Sequence, residues 1–132
     1  MKSIEIIQQY YDAFNQQNWE QMLEMVHPDI VHEPNEGESR TGKEAFTAFL
    51  ADMDRCYSEE LKDIVLYTSS HPDKIAASFI VHGIYKQGDE GFPEAKGQSY
   101  ILPAAAFLEL KNGLISKVTT YYNLQQWIKL VS

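Results

Sequence analysis

Cysteine is nearly missing: Cys56 stands alone among 132 residues, which excludes an intramolecular disulfide framework. Following a helical pattern, it reads as a packing residue. Long hydrophobic runs are missing too. None approaches the roughly 18 residues of a membrane span, so no membrane partner is expected. Positive charge is scarce, with 11 Lys and Arg against 19 Asp and Glu and a formal charge of −8. That balance disfavours nucleic acid and anionic membrane, both of which reward basic patches. A glycine-rich phosphate loop, a nucleophile elbow and a dinucleotide fingerprint are all absent. So is His-Glu-x-x-His: after His32-Glu33, position 36 is Glu36, and Pro34 forbids the helix that motif needs. No metal and no cofactor are therefore expected. The start, Met1-Lys2-Ser3-Ile4-Glu5, turns amphipathic at once and carries an acid. It does not read as a signal peptide, and a cytoplasmic location is the expectation.

What is present is aromatic and apolar. Hydrophobic residues make up 44% and aromatics 12%, enough to build a core in one domain spanning 1–132. Ser3 is a plausible N-cap, followed by Ile4, Ile7, Tyr11 and Phe14 at helical spacing. Asn18 with Gln21 resembles a capping box for a short second helix, which His27-Pro28-Asp29 should end. Ile30 to Glu33 reads as a small strand. Thr41 with Glu44 predicts a third helix whose inward stripe is Ala45, Phe46, Phe49, Leu50 and Met53. Strands are expected over Leu61–Thr68, Ile75–Gln87, Gln98–Lys111 and Leu114–Tyr122, with Asn112-Gly113 as a hairpin turn. A last short helix carries Leu124, Trp127, Ile128 and Val131. Helices followed by strands argue an α+β fold with a mixed or antiparallel sheet. Ile101-Leu102-Pro103-Ala104-Ala105-Ala106-Phe107-Leu108 is apolar on both faces. Helices can cover one face, and a second subunit is the simplest cover for the other, so a homodimer through the sheet is expected.

The stretch richest in chemistry is His32-Glu33-Pro34-Asn35-Glu36-Gly37. A carboxylate delivered to the rim of a core is one way to build a general base. Strand side chains alternate faces, so a regular strand sends only one of His32 and Glu33 into a cavity. Glu33 is the preferred base, paired in parity with Val31. His82 and Tyr85 differ by three and face opposite sides of their strand unless a bulge intervenes. Asn123 with Gln126 has the form of a helix cap, and its amide can also bind a ligand carbonyl.

The chain resembles the NTF2-like superfamily of cone-shaped, curved-sheet domains, and within it the SnoaL-like and ketosteroid-isomerase-related proteins. The resemblance rests on Tyr10-Tyr11-Asp12-Ala13-Phe14-Asn15, on Arg40-Thr41-Gly42-Lys43-Glu44-Ala45-Phe46, and on Gly97-Gln98-Ser99-Tyr100-Ile101-Leu102-Pro103. It rests also on Val118-Thr119-Thr120-Tyr121-Tyr122-Asn123-Leu124 with Trp127. It implies a sheet wrapped around helices, an apolar cavity between them, and frequent homodimers. The implied activity is cofactor-independent proton transfer, isomerase- or cyclase-like, on a small hydrophobic carbonyl compound. The alternatives are a non-catalytic ligand-binding domain and a protein-interaction module. Val31-His32-Glu33-Pro34 resembles the stretch holding the isomerase base, which assigns that role to Glu33, while Tyr10 matches the oxyanion tyrosine. His32 joins them as a catalytic candidate. Asn123, Tyr100, Tyr121, His82, Trp127, Phe49 and Met53 are the candidate ligand contacts. Two departures stand out. Ala104-Ala105-Ala106 lies where the isomerase has its second acid, and Asn123 stands where the cyclases have an aspartate.

Overall fold

The computed structural model describes all 132 residues. Helix α1 (Ser3–Asn15) is followed by α2 (Trp19–Glu24), β1 (Val26–Glu33), β2 (Arg40–Thr41) and α3 (Lys43–Cys56). Four long strands come next: β3 (Tyr57–Thr68), β4 (Lys74–Tyr85), β5 (Ser99–Lys111) and β6 (Leu114–Tyr122). Helix α4 (Leu124–Val131) ends the chain's regular structure. The strands form one curved, open sheet in the order β2-β1-β6-β5-β4-β3. Only the β1–β6 pair is parallel. No helix is long and apolar enough to cross a membrane.

The α+β class thus stands, with helices against one face of a mixed sheet. Helix α1 forms because Ile6, Ile7, Tyr10, Tyr11 and Ala13 fall on one stripe, and all five are buried. Ser3 does not cap it. Lys2 holds the N-cap position, and the Ser3 hydroxyl instead donates to Asp73 at 3.0 Å. Asn18 does cap α2, accepting from the Gln21 amide. Thr41 is not the cap of α3 either. It belongs to β2, and Gly42 takes the N-cap with φ of 102°, a conformation that favours glycine. Gly42 N–H also donates to the Ile30 carbonyl at 2.8 Å, tying the helix start to β1.

Two strands begin four residues earlier than the residue pattern predicts. His27-Pro28-Asp29 lies inside β1, in an irregular stretch where β1 and β6 lose register between Val26 and Val31. Strand β3 starts at Tyr57 rather than Leu61, directly after α3. This edge strand is held from outside by Asn15. Its side-chain amide donates to Leu61 O and accepts from Leu61 N, at 2.9 and 2.8 Å, and so imitates a neighbouring strand. At the far end, Asn112-Gly113 makes the expected two-residue turn, with φ of 53° and 76°.

Candidate functional site

Strand alternation decides what the cavity contains. Along β4, Ile75, Ala77, Phe79, Val81, Gly83 and Tyr85 are buried on the inner face. Along β5 the inner set includes Tyr100, Leu102, Ala106 and Leu108. Between this face and helices α1, α3 and α4 lies a cavity of about 310 Å³ with mainly apolar walls. Phe14, Phe46, Leu50, Phe79, Val81 and Leu102 supply much of that lining.

Two groups of polar residues interrupt the apolar wall. The first is a row across three strands, in which Glu59 on β3 is paired with Gly83 on β4, and Gly83 with Tyr100 on β5. Because the middle residue has no side chain, the Tyr100 ring lies over it and its hydroxyl donates to Glu59 Oε2 at 2.5 Å. A β-carbon at Gly83 would sit 2.2 Å from Tyr100 Cζ. Burial raises the Glu59 carboxyl above its usual range, and the Tyr100 hydrogen bond opposes that rise. The Tyr100 hydroxyl is itself raised, first by burial and then by the Glu59 charge. Trp127 packs edge-on against Tyr100 with ring centroids 6.0 Å apart, and meets Tyr57, Tyr85 and Phe92 in the same way. Nearby, the Tyr57 hydroxyl donates to Asp89 at 2.7 Å. Asp89 is held at the cavity by its own N–H, which donates to the Tyr85 hydroxyl at 2.9 Å.

The second group is His32 with Arg40. They are directly paired across β1 and β2, and Arg40 Nη1 lies 3.1 Å from His32 Nδ1. A guanidinium can only donate, so Nδ1 accepts and the ring proton sits on Nε2. Burial, and then the Arg40 charge, lower the His32 pKa to about 4, so the ring is neutral at pH 7. The ring is packed against Phe49 and Phe46, with centroids 4.3 and 5.3 Å away. Two more donors face the cavity. Tyr10 and Tyr11 are buried side chains on its wall, and burial raises both phenols. Asn35, on the loop after β1, accepts from Tyr122 N at 2.8 Å and lines the cavity mouth.

The anticipated residues divide between the cavity wall and the outside. Tyr10, His32, Tyr100, Trp127, Phe49 and Met53 line the cavity. Glu33 does not, which corrects the expectation that it serves as the cavity base. Ile30 and His32 take the inner face of β1, and Glu33 turns to the opposite one. There it accepts from Thr119 Oγ1 at 2.8 Å and lies 3.4 Å from Lys117 Nζ. The Thr119 hydrogen bond, more than Lys117, lowers the Glu33 pKa, the opposite of what a base needs. Tyr121 is likewise outside, 53% exposed and edge-on to Phe107, while Tyr122 faces in. His82 sits on the outer face of β4 between the inward Val81 and Gly83. Asn123 is absent from the cavity wall and caps α4, accepting from Gln126 N at 3.0 Å. Glu59, Arg40, Asn35 and Asp89 were not anticipated. Glu59 was legible in principle, since Tyr57, Glu59 and Leu61 share parity, but only if the strand begins at Tyr57. No group of three or more His, Cys, Asp or Glu side chains is arranged to hold a metal ion.

The SnoaL-like domain family model matches residues 7–118, and the chain belongs to that family. Three solved structures agree along nearly the full length. A candidate polyketide cyclase from Silicibacter sp. is 48% identical, with a TM-score of 0.97 over 99% of this chain and 96% of that one. Another from Pseudomonas putida is 43% identical, with a TM-score of 0.98 over 100% and 99%. A third, from Xanthomonas campestris, is 42% identical, with a TM-score of 0.94 over 98% and 96%. More distant NTF2-like structures, such as one from Burkholderia xenovorans at 10% identity and TM-score 0.78, share the fold. No curated protein matches the sequence. The family assignment supports a ligand-binding or cyclase- or isomerase-like role.

Proposed function

For this SnoaL-like chain we propose a cavity enzyme that moves a proton on a compact, apolar carbonyl compound, in an isomerase- or cyclase-type reaction that needs no cofactor. The observation that carries this reading is the Glu59–Tyr100 pair on a mainly apolar wall. A carboxylate with a raised pKa is a stronger base than one in water, and desolvation brings it nearer the operating pH. Tyr100 occupies Oε2, which leaves Oε1 to take a proton from the carbon next to a carbonyl. The resulting enolate needs donors. Tyr10 and Tyr11 place hydroxyl donors on the cavity wall for it. The role that the family resemblance gave to Glu33 thus passes to Glu59, on a different strand.

The test is deuterium exchange, followed by NMR, at the α-carbon of a panel of cyclic ketones, enones and β-diketones. Wild type should accelerate exchange on at least one of them, and Glu59→Gln should lose about 10²–10⁴-fold of that rate. The rate should rise with pH through the raised Glu59 pKa, because the ionised form is the base. Binding without exchange across the panel, or full activity in Glu59→Gln, overturns the reading in favour of a ligand-binding domain.

The same reading includes a homodimer through the outer sheet face, supported by the exposure of Ile84, Ile101, Phe107 and Tyr121 there.

A further inference from the structure

Of the chain's 11 Lys and Arg residues, Arg40 alone lines the cavity. It is partly buried, and its guanidinium carbon sits 4.7 Å above the Phe49 ring. The ion pairs of this protein are Arg55–Asp52, Lys62–Glu60 and Lys117–Glu33, so no carboxylate lies within 4.0 Å of Arg40. In a chain of net charge −8 that is unusual company for a cation. The acids that precede it in sequence, Glu36 and Glu38, line the cavity but are exposed. The protein partner that Arg40 does have is His32 Nδ1, an acceptor that carries no charge to balance it.

The consequence is a corner that only donates. Arg40 spends one N–H on His32 and keeps the rest of its fork. His32, forced into the Nε2–H tautomer, adds a second donor, and its one side-chain hydrogen bond is the one to Arg40. A partly desolvated guanidinium without a counter-charge is costly, and an anion completes it. Phe46 and Phe49 wall the corner, so the anion must be attached to an apolar body.

We propose that Arg40 and His32 form a carboxylate-binding corner, and that the ligand of this cavity is a hydrophobic carboxylic acid. This deepens the functional reading above and rests on its premise that the cavity is the ligand site. The substrate becomes an apolar keto acid. Its carboxylate meets Arg40 in bidentate fashion, and its apolar body fills the cavity towards Glu59 and Tyr100. Arg40 thereby becomes the residue that separates acids from neutral ketones of the same shape.

Isothermal titration at pH 8 with 2-naphthoate and its neutral isostere 2-naphthamide tests this without any turnover. Wild type should bind the acid at least tenfold more tightly than the amide. Arg40→Gln should erase that preference, bringing acid and amide within threefold of each other, and Arg40→Lys should keep part of it. Equal affinity for acid and amide in wild type overturns the inference, as does failure to bind either. A preference that survives Arg40→Gln also overturns it. The wild-type comparison needs no variant to fold. Because exchange chemistry at Glu59 is measured separately, the corner can fail while the proton-transfer reading stands, and the reverse.

Discussion

Replacing Gly83 with alanine should dismantle the Glu59–Tyr100 pair without touching either residue. The added β-carbon would stand 2.2, 2.4 and 2.5 Å from Tyr100 Cζ, Cε2 and Oη, where ordinary contacts begin at 3.4 Å. Gly83 lies in β4 between two paired strands, so its backbone cannot retreat, and the ring must. A displacement of more than an ångström breaks the 2.5 Å bond from Tyr100 to Glu59. Overpacking typically costs about 1–3 kcal/mol. Leaving a desolvated carboxyl unsatisfied adds about 1–3 kcal/mol. Partial relaxation into the cavity should hold the total near 2–4 kcal/mol, about 5–15 °C in Tm for a domain of this size. Since the lost hydrogen bond is the one that lowers the Glu59 pKa, that pKa should rise further. Urea denaturation measures the first effect, and carboxyl-carbon NMR titration of Glu59 the second. In a Tyr100→Ala background the same substitution should cost less than about 0.5 kcal/mol, because its obstacle is gone. A Gly83→Ala protein within about 0.5 kcal/mol of wild type, with an unshifted Glu59 titration, refutes the reasoning.

Other outcomes follow from the same geometry. His32 should remain neutral in the folded protein until about pH 4, against an ordinary 6.5. Its pKa is depressed, so its contribution is complete above pH 6.5 and is lost as pH falls through 4. That loss amounts to up to about 3 kcal/mol. Imidazole NMR titration checks this, and a midpoint near 6.5 in the folded state refutes it. Glu59 has the opposite sign: its raised pKa makes ionisation costly, so its contribution is lost as pH rises through the folded value. Glu59→Gln should therefore be more stable relative to wild type at pH 8 than at pH 4, and equal differences would count against a desolvated carboxyl. Glu33→Gln should leave cavity chemistry and ligand affinity unchanged, since Thr119 and Lys117 hold its carboxylate outside. A loss of either would restore Glu33 as a participant. Phe107→Glu, on the exposed outer face, should shift a dimer to monomer in light scattering while leaving the far-ultraviolet circular dichroism unchanged. A wild-type monomer at 100 µM refutes the dimer reading.

How much of this was written locally can be judged from single residues. Asn18 and Asn123 cap α2 and α4 as their spacing predicts, because a capping bond spans only three residues. Asn112-Gly113 turns the chain because both positions need positive φ. The helical stripe through Phe46, Phe49, Leu50 and Met53 was readable, since a helix repeats every 3.6 residues whatever surrounds it. Thr41 misled, because β2 claims it and Gly42 takes the cap.

The sequence by itself determined the order of helices and strands apart from the two-residue β2, the apolar inner faces, the acidic exterior and the family. It also limited the cavity's chemistry to side chains such as His, Tyr and Glu. Tertiary structure alone decided which of them meet. Ile30-Val31-His32-Glu33 alternates equally well in either parity, and its pairing with β6 turns His32 in and Glu33 out. Glu59 and Tyr100 are 41 positions apart, and no local pattern links them. They meet because the registers of two strand pairs align both on Gly83, whose missing side chain leaves room for the ring between them.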